Sequence, residues 1–362
     1  MKKKYEIFKL IGKGNYGKAY LVKNKEDNNL YVNKVIDMSQ FSKDQLENAL
    51  REAEILKSLQ HPNIIRCIDF FVDDKLLCLV TEFADLGDLN KIIKYQILSG
   101  YFFCEEIILN WFTQLCFAIK YIHSKNILHR DLKLSNIFLT SKGNIKLGDF
   151  GIAKILSSKD DLAKTLVGTP YYLSPELCLK KPYNHKSDIW SLGCILYEMM
   201  YLKHAFEAES IGELVLNILQ GNFNTKINAG FSNDVVNLLK SILVINTKVR
   251  PSIDDILNSK VLQKYITMNV IKLCEQLPES TFDEIFYDKK SDNKDKNNKK
   301  KNENKEKKEK KEKNSISKIK INNYDLKGLK INFNKNNNNK MKENKENIKI
   351  KSNNIEYKDK SD

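Results

Sequence analysis

The composition of the chain changes abruptly at about residue 289, and this change limits which part can fold. Residues 289–362 hold 25 Lys and 12 Asp or Glu, so +13 of the formal net charge of +15 lies there. Runs such as 299–313 lack apolar periodicity and offer too little apolar surface to offset the entropy of ordering. We therefore expect a folded part within residues 1–288, with a net charge of only +2, and a disordered Lys/Asn/Glu-rich tail at 289–362.

The folded part divides into a strand-rich and a helix-rich region. Alternating β-branched and aromatic residues predict strands at 5–11 and 19–23, a third strand is predicted at 31–36, and the apolar run at 76–80 predicts a buried strand. Apolar residues at helical spacing predict a helix over 42–59 that begins at Ser42, its N-cap. Later amphipathic segments predict helices at roughly 105–124, 187–201, 210–220, 232–245 and 252–257. The pattern predicts an α+β fold of two lobes joined near residues 82–87.

A glycine cluster lies between the first two predicted strands. Gly12, Gly14 and Gly17 would let the backbone of a hairpin turn approach phosphates closely. A Rossmann loop has the same spacing, but a helix follows it, whereas a strand follows here. Lys34, on the next predicted strand, could reach the α- and β-phosphates of a nucleotide. Three glutamates of the 42–59 helix could hold this lysine: Glu47, Glu52 and Glu54. Glu52 is preferred because it lies at the edge of the apolar stripe.

The strongest chemical signal is His-Arg-Asp-Leu-Lys-Leu-Ser-Asn at residues 129–136, here termed the catalytic loop. It is followed by Asp-Phe-Gly at 149–151. Together the two motifs match the catalytic and metal-binding motifs of protein kinases. Phosphoryl transfer requires an acceptor in line and charges that neutralise the moving group. Asp131 would accept the hydroxyl proton, Lys133 would neutralise the phosphoryl group, and Asn136 and Asp149 would bind metal.

Longer stretches resemble the NIMA-related (Nek) serine/threonine protein kinases over about residues 5–264. The stretches that carry this resemblance are 52–56, 61–65, 87–89, 129–140, 146–154, 168–176, 182–190 and 202–208. The resemblance implies a bilobal kinase fold, ATP as co-substrate with Mg²⁺ (or Mn²⁺), and protein substrates. It implies a kinase domain at 5–264, with an N-lobe at about 5–82 and a C-lobe at about 88–264. Residues 265–288 would form a short extension.

The resemblance also assigns the nucleotide site and a structural ion pair. It places the hinge between the lobes at residues 82–84, behind a gatekeeper at Thr81. It also implies that Glu52 is the partner of Lys34 and that Glu176 pairs with Arg250. The expected nucleotide-binding residues are Ile11, Gly12, Lys13, Gly14, Asn15, Tyr16, Gly17, Lys18, Ala19, Lys34, Glu82, Ala84 and Asp88, the last at the ribose.

Three positions depart from the family pattern. Ala19 replaces a valine, which would loosen adenine packing. Asn33 replaces an apolar residue, but its side chain should alternate away from Lys34. Cys67 stands where many Neks carry a tyrosine that can fold inward, so we expect that form of autoinhibition to be lacking.

Regulation is expected at the activation segment, residues 165–176. Arg130 would carry a buried charge that needs an anion, and phosphorylation of Thr165, by an upstream kinase or by the chain itself, would supply one. Ile152 favours threonine over serine as the acceptor.

Other function classes remain open from the sequence. A pseudokinase scaffold would lack Lys34, Asp131 or Asp149, and all three are present. The tail could be a nuclear localisation signal or a nucleic-acid or microtubule-binding patch, although interleaved glutamates weaken its positive electrostatic field.

The sequence favours the cytoplasm, with the nucleus or centrosome as further compartments. It has seven cysteines without a C-x-x-C pair, and it shows no signal peptide or membrane-length apolar run. The family implies roles in the cell cycle, meiosis, or microtubule, centrosome and cilium regulation.

Overall fold

The computed structural model describes residues 4–14, 17–149, 170–224 and 230–276. They form a sheet-containing N-terminal lobe and a mainly helical C-terminal lobe. This is the two-lobed α+β architecture that the sequence predicts. The predicted tail at 289–362 lies outside the described residues.

The sheet of the N-terminal lobe has five antiparallel strands in the order β1-β2-β3-β5-β4. The strands are β1 (Tyr5–Gly14), β2 (Gly17–Asn24), β3 (Leu30–Asp37), β4 (Cys67–Asp73) and β5 (Leu76–Glu82). The four predicted strands are all present, and each is longer than its apolar pattern. β4 was not predicted, because most of its side chains are only half-buried and its apolar residues do not alternate clearly.

Helix α1 (Lys43–Ser58) packs against the sheet through the stripe that the sequence predicts. Ser42 and Gln45 form a capping box that satisfies backbone N–H groups at its start. Ala49 and Ala53 are fully buried, so small side chains at these positions let the helix approach β3 and β5 closely.

The C-terminal lobe is built around two buried helices. The helices of this lobe are α2 (Leu89–Ser99), α3 (Glu105–Ser124), α4 (Pro175–Cys178), α5 (His185–Tyr201), α6 (Ile211–Gln220), α7 (Asn233–Ile242), α8 (Ile253–Leu257) and α9 (Gln263–Gln276). All side chains of α5 from Ser187 onward are buried, as are most of those of α3 between Ile108 and Ile122. The predicted helices match α3 and α5–α8 closely, whereas α2 and α9 were not predicted.

Two short strands connect the lobes beside the candidate site. β6 (Ile137–Leu139) and β7 (Ile145–Leu147) form an antiparallel pair that directly follows the catalytic loop. Leu147 exchanges backbone hydrogen bonds of 2.8 Å with Asn63 and Ile65, which precede β4. The segment that leads to Asp149 is therefore fixed to both lobes.

The predicted domain boundary after residue 264 falls inside α9. This helix packs on α3, and the Asn269 side-chain amide donates to Asn110 Oδ1 at 3.0 Å. The described part of the predicted extension thus continues the C-terminal lobe without a break.

Candidate active site

Asp188 is the buried anchor of the catalytic loop. Its carboxylate accepts hydrogen bonds from the backbone N–H groups of His129 at 3.0 Å and Arg130 at 3.2 Å. His123 Nε2 lies 2.8 Å from the same carboxylate, and the Tyr183 hydroxyl donates to it. Burial alone would raise the pKa of Asp188, but the hydrogen bonds and charges around it lower the pKa instead. An ionised carboxylate therefore holds the start of the loop.

Two site residues have a left-handed backbone that is rare outside glycine. Arg130 has φ 64° and Asp149 has φ 50°. Such conformations cost on the order of 1–3 kcal/mol and persist where the surroundings impose them. For Arg130, the bond from its N–H to Asp188 is such a constraint. Its side chain is exposed, so the prediction that Arg130 carries a buried charge was wrong.

Lys133 and Asn136 both contact the carboxylate of Asp131. Lys133 Nζ and Asn136 Nδ2 each lie 2.9 Å from Asp131 Oδ2, and Asn136 Nδ2 also donates to the Asp131 carbonyl oxygen at 2.8 Å. Three residues that the sequence predicts as catalytic or metal-binding are therefore in contact. Two donors on one oxygen fix the orientation of the carboxylate.

His129 connects the loop to the strand end that precedes Asp149. Its Nε2 lies 3.1 Å from the Gly148 carbonyl oxygen, and its Nδ1 accepts from the Asp131 N–H at 3.3 Å. Burial lowers the pKa of His129, so the neutral imidazole is favoured. The neutral form can donate at Nε2 and accept at Nδ1, as these contacts require.

Lys34 and Asp149 form an ion pair across the lobes. Lys34 lies on β3, and its Nζ is 2.8 Å from Asp149 Oδ1. Both side chains are partly exposed, at 36% and 46%. The site thus brings together the predicted phosphate-binding lysine and the predicted metal-binding carboxylate.

Glu52 is not paired with Lys34 in this structure, which differs from the pairing that the sequence favoured. The Lys34 ammonium is held by Asp149, and Glu52 Oε2 is buried without a hydrogen-bond partner among the described residues. Burial raises the pKa of Glu52 to about 7, although the charge of Arg130 lowers it. Glu47 and Glu54, the other two candidates, are exposed.

The glycine loop closes a hairpin between β1 and β2. A Cβ on Gly17 would lie 2.1 Å from the Val35 carbonyl oxygen, so no larger residue fits there. Ala19 lies opposite Gly12 in β1 and opposite Lys34 in β3. Most of the predicted nucleotide-binding strand residues therefore lie on adjacent strands, whereas Asn15 and Tyr16 lie outside the described residues.

The first hinge residue is tied to the second lobe. Lys146 Nζ, on β7, lies 2.8 Å from Glu82 Oε1, which also accepts from the Arg66 N–H at 2.8 Å. Ala84 is buried, two residues further along. The Glu82 side chain thus joins the end of β5 to the strand that precedes Asp149.

Asp88 begins helix α2. Its Oδ1 accepts from the Lys91 N–H at 3.0 Å, and its Oδ2 lies 3.2 Å from Lys91 Nζ. The residue predicted to bind the ribose therefore also caps a helix, a signal readable from sequence as Asp before an apolar segment.

The predicted pair of Glu176 with Arg250 is confirmed. The guanidinium donates to both carboxylate oxygens, at 2.9 and 3.1 Å, and the arginine is fully buried. Ser187 donates to Glu176 Oε1 at 2.6 Å. The hydrogen bonds and charge of Arg250 lower the pKa of Glu176 against the opposing effect of burial.

Several predicted residues lie outside the described part of the chain. They are Phe150, Gly151, Ile152 and Thr165. The switch through Thr165 and the threonine preference thus stay predictions.

Sequence reasoning missed some of the residues that support the site. Lys146 is one, and a charged residue in an otherwise apolar strand is the signal that could have identified it. His123 and Tyr183 are two more, and no local pattern shows that both contact Asp188.

Within the described ranges, no three His, Cys, Asp or Glu side chains are grouped as a metal site. The same part of the chain contains no helix long and apolar enough to cross a membrane.

Comparison with known proteins identifies one family and a consistent set of relatives. Residues 5–262 match the protein kinase domain family. The chain is 47% identical over 286 residues to probable serine/threonine-protein kinase nek3 of Dictyostelium discoideum, and 45% identical over 272 residues to serine/threonine-protein kinase Nek1 of Mus musculus. It is 44% identical over 274 residues to serine/threonine-protein kinase Nek5 of Homo sapiens. These matches cover 74–78% of this chain but only 22–38% of the relatives.

Proposed function

Because the chain belongs to the protein kinase family and resembles Nek serine/threonine kinases throughout that domain, we propose that it transfers the γ-phosphate of ATP to serine or threonine hydroxyls of proteins. The observation that carries this proposal is the convergence of Lys133 and Asn136 on the Asp131 carboxylate. A scaffold without chemistry has no need for such an arrangement. Lys34, Asp131 and Asp149, whose loss marks a pseudokinase, are all present.

Asp131 is the proposed acceptor of the hydroxyl proton. Its carboxylate is held by two donors, so it can orient the attacking oxygen before the proton moves. Lys133, 2.9 Å from Asp131, would neutralise charge on the transferred phosphoryl group. The Asp188 anchor keeps both in place.

Lys34 is the proposed ligand of the α- and β-phosphates. In the structure its ammonium is bound to Asp149. We propose that Lys34 exchanges Asp149 for nucleotide phosphates and Glu52. The Glu52 Oε2 atom, buried without a hydrogen-bond partner among the described residues, supports this, since a cation beside it would offset the cost of its burial.

The rest of the nucleotide site follows from the hairpin and hinge. The glycine loop at residues 12–17 would cover the phosphates, and the hinge backbone at Glu82 and Ala84 would contact the adenine. Ile11, Lys13, Lys18 and Ala19 complete the proposed surface, with Asp88 at the ribose.

Asn136 and Asp149 fit a divalent cation by the chemistry of their donor atoms. The Asn136 amide nitrogen is engaged by Asp131, so its Oδ1 remains for a ligand, and a carboxylate and an amide oxygen are ligands that Mg²⁺ prefers. The Gly148 N–H donates to the Asn136 carbonyl oxygen at 2.9 Å, which holds the two residues near each other. Bound Mg²⁺, or Mn²⁺, would supply positive charge at the phosphates.

Regulation, cellular role and location are proposed from the resemblance. We propose that phosphorylation of Thr165, by the chain itself or an upstream kinase, engages Arg130, whose exposed side chain could reach an anion. We propose a role in the cell cycle, meiosis, or microtubule, centrosome or cilium regulation. The proposed location is the cytoplasm, with the nucleus or centrosome as further compartments.

The test of the reaction class is phosphoamino-acid analysis. The full chain is incubated with γ-labelled ATP, Mg²⁺ and a generic basic protein, and the labelled protein is hydrolysed in acid. We expect phosphoserine and phosphothreonine, the latter in excess, with one ADP released per phosphate transferred. Release of ADP without labelled protein would overturn the proposal and identify an ATPase.

A further inference from the structure

A cluster at the end of α5 contains a buried carboxylate that the proposed mechanism does not use. Glu198, one turn before the end of the helix, has a side chain only 6% exposed. The Tyr172 hydroxyl donates to its Oε2, and His204 Nδ1 lies 3.3 Å from its Oε1. Among the described residues, His204 is the cationic partner that the structure provides for this carboxylate.

The chain brings His204 back to Glu198 through a left-handed turn. Leu202 ends α5 with φ 56°, and its N–H donates to the Glu198 carbonyl oxygen at 2.9 Å. A left-handed leucine carries strain that the surrounding contacts must offset. The reversal places the imidazole against Tyr171 and Tyr172, which belong to the predicted activation segment.

Tyr171 and Tyr172 pack against the imidazole from two directions. The Tyr171 ring is stacked on His204 with centroids 4.0 Å apart and planes 4° apart, and Tyr172 meets it edge-on at 6.1 Å. Ser191 Oγ donates to the Tyr172 carbonyl oxygen at 3.0 Å. Tyr171 and Tyr172 are therefore held between His204 and helix α5.

The charges around His204 favour its protonated form. Burial lowers the pKa of His204, but the Glu198 carboxylate 3.3 Å from its Nδ1 and the charge of Glu207 outweigh burial and raise the pKa above its ordinary value. Among the described residues, the titratable groups named around the cluster are Tyr171, Tyr172, Cys194, Glu198 and Glu207. Burial, together with the charge of Glu198, raises the pKa of Tyr172 far above neutrality, so that hydroxyl stays a donor.

We propose that His204 is a positioning residue. Its protonated imidazole, paired with Glu198 and stacked on Tyr171, holds residues 170–172 in the conformation, here termed seated, that binds the protein acceptor. Deprotonation leaves a buried carboxylate with one neutral donor, which is unfavourable. Because protonation favours the seated segment, the seated segment favours protonation by the same factor. The seated state is therefore complete at low pH and is lost as pH rises through the raised pKa of His204. This inference rests on the proposed phosphotransfer.

The first experiment measures kcat/KM for a peptide acceptor between pH 6.5 and 8.5. The variant His204→Phe keeps an aromatic ring on Tyr171 but removes the cation. We expect kcat/KM for the acceptor to fall about fivefold at pH 6.5, with KM for ATP unchanged, and the wild type and variant to converge at pH 8.5. Lys203→Gln removes the neighbouring positive charge and should follow the wild type. A ratio of variant to wild type that is constant with pH would overturn the proposal.

A rescue variant separates positioning from simple damage. Adding Glu198→Gln to His204→Phe removes the unpaired charge while leaving an acceptor for Tyr172. We expect kcat/KM at pH 6.5 to return to within about twofold of the wild type, with a flat pH profile. A double variant as impaired as His204→Phe alone would contradict the charge argument.

The second measurement needs neither a variant nor catalysis. Amide hydrogen exchange at 171–173 in the wild-type chain, corrected for intrinsic rates, should be about fivefold faster at pH 8.5 than at pH 6.5, while α3 is unchanged. Equal protection at both pH values would overturn the role of His204. Absence of phosphate transfer by the wild type would instead overturn the proposed function.

Discussion

The two halves of the candidate site are held in different ways. On the C-terminal side, the catalytic loop is anchored by Asp188. This residue is fully buried, and its carboxylate is hydrogen-bonded to four groups. On the N-terminal side, Lys34 is held by one ion pair whose side chains are 36% and 46% exposed. Exposed ion pairs contribute roughly 0–1 kcal/mol, whereas breaking a buried one costs several. The catalytic loop is thus anchored in the core, whereas the phosphate-binding Lys34 can change partners.

The difference also bears on Glu52, whose Oε2 is buried without a hydrogen-bond partner among the described residues. A carboxyl buried on α1 would be costly if charged, and its raised pKa lets it take up a proton instead. In the catalytic half, by contrast, the contacts of Asp188 and of Asn136 with Asp131 involve backbone groups or buried side chains.

The largest effect is expected from Asp131→Asn, which tests the fixed half. The amide keeps the shape but cannot accept a proton, so kcat should fall about 10³-fold with nucleotide affinity and thermal midpoint nearly unchanged. Steady-state kinetics and a fluorescent-nucleotide titration measure both. Loss of nucleotide binding would show that the two halves are not separate.

Lys34→Met tests the exchangeable half. Loss of the ammonium should reduce kcat/KM for ATP about 10²-fold, because a charge that contacts the phosphates is removed. The matched control is Lys9→Met on β1, which should behave as the wild type. A Lys34→Met enzyme with normal KM for ATP would place Lys34 outside the nucleotide site.

Asp188→Asn weakens the anchor without touching the reactants. One acceptor oxygen is lost from a buried hydrogen-bonded group, so kcat should fall about tenfold and the thermal midpoint by a few degrees. KM for ATP should stay the same. If KM rose while kcat held, the catalytic loop would not depend on this carboxylate.

Glu52→Gln has the smallest expected effect, and its sign depends on pH. The folded state raises the pKa of Glu52 to about 7, so between about pH 4.5 and 7 the folded chain binds more protons than the unfolded chain. Stability therefore falls as pH rises through that window. Glu52→Gln should raise the thermal midpoint by about 2 °C at pH 8 and by less at pH 5.5. Glu54→Gln, on the exposed face, is the control.

A lower midpoint for Glu52→Gln at pH 8 would show that Glu52 is ion-paired in the nucleotide-free protein. That result would remove the contrast between the two halves.

Much of the architecture could be predicted because its signals are local. The Ser42 cap, the α3 stripe and the strands around the glycine loop each follow from neighbouring residues. β4, β6 and β7 could not be predicted, because they are short or only half-buried. They form only through pairing with a neighbouring strand. The predicted boundary at 264 falls inside α9, and the contact of this helix with α3 joins Asn269 to Asn110, more than 150 residues apart in the chain.

The site divides in the same way. Asp131, Lys133 and Asn136 meet because five residues of loop fix their spacing. The partner of Lys34 depends on how α1 sits against β3 and on the left-handed backbone of Asp149, which no sequence pattern specifies. His204 and Glu198 are neighbours only because Leu202 reverses the chain.

The most direct test of the central claim is phosphate transfer by the full chain and by Asp149→Asn. Both are given ATP, Mg²⁺ and a generic basic protein, and incorporated phosphate is counted over time. We expect robust incorporation by the wild type and a loss of about 10³-fold in the variant, with the fold intact by circular dichroism. Equal incorporation by the two proteins would contradict the assignment of this site as the catalytic centre of a kinase.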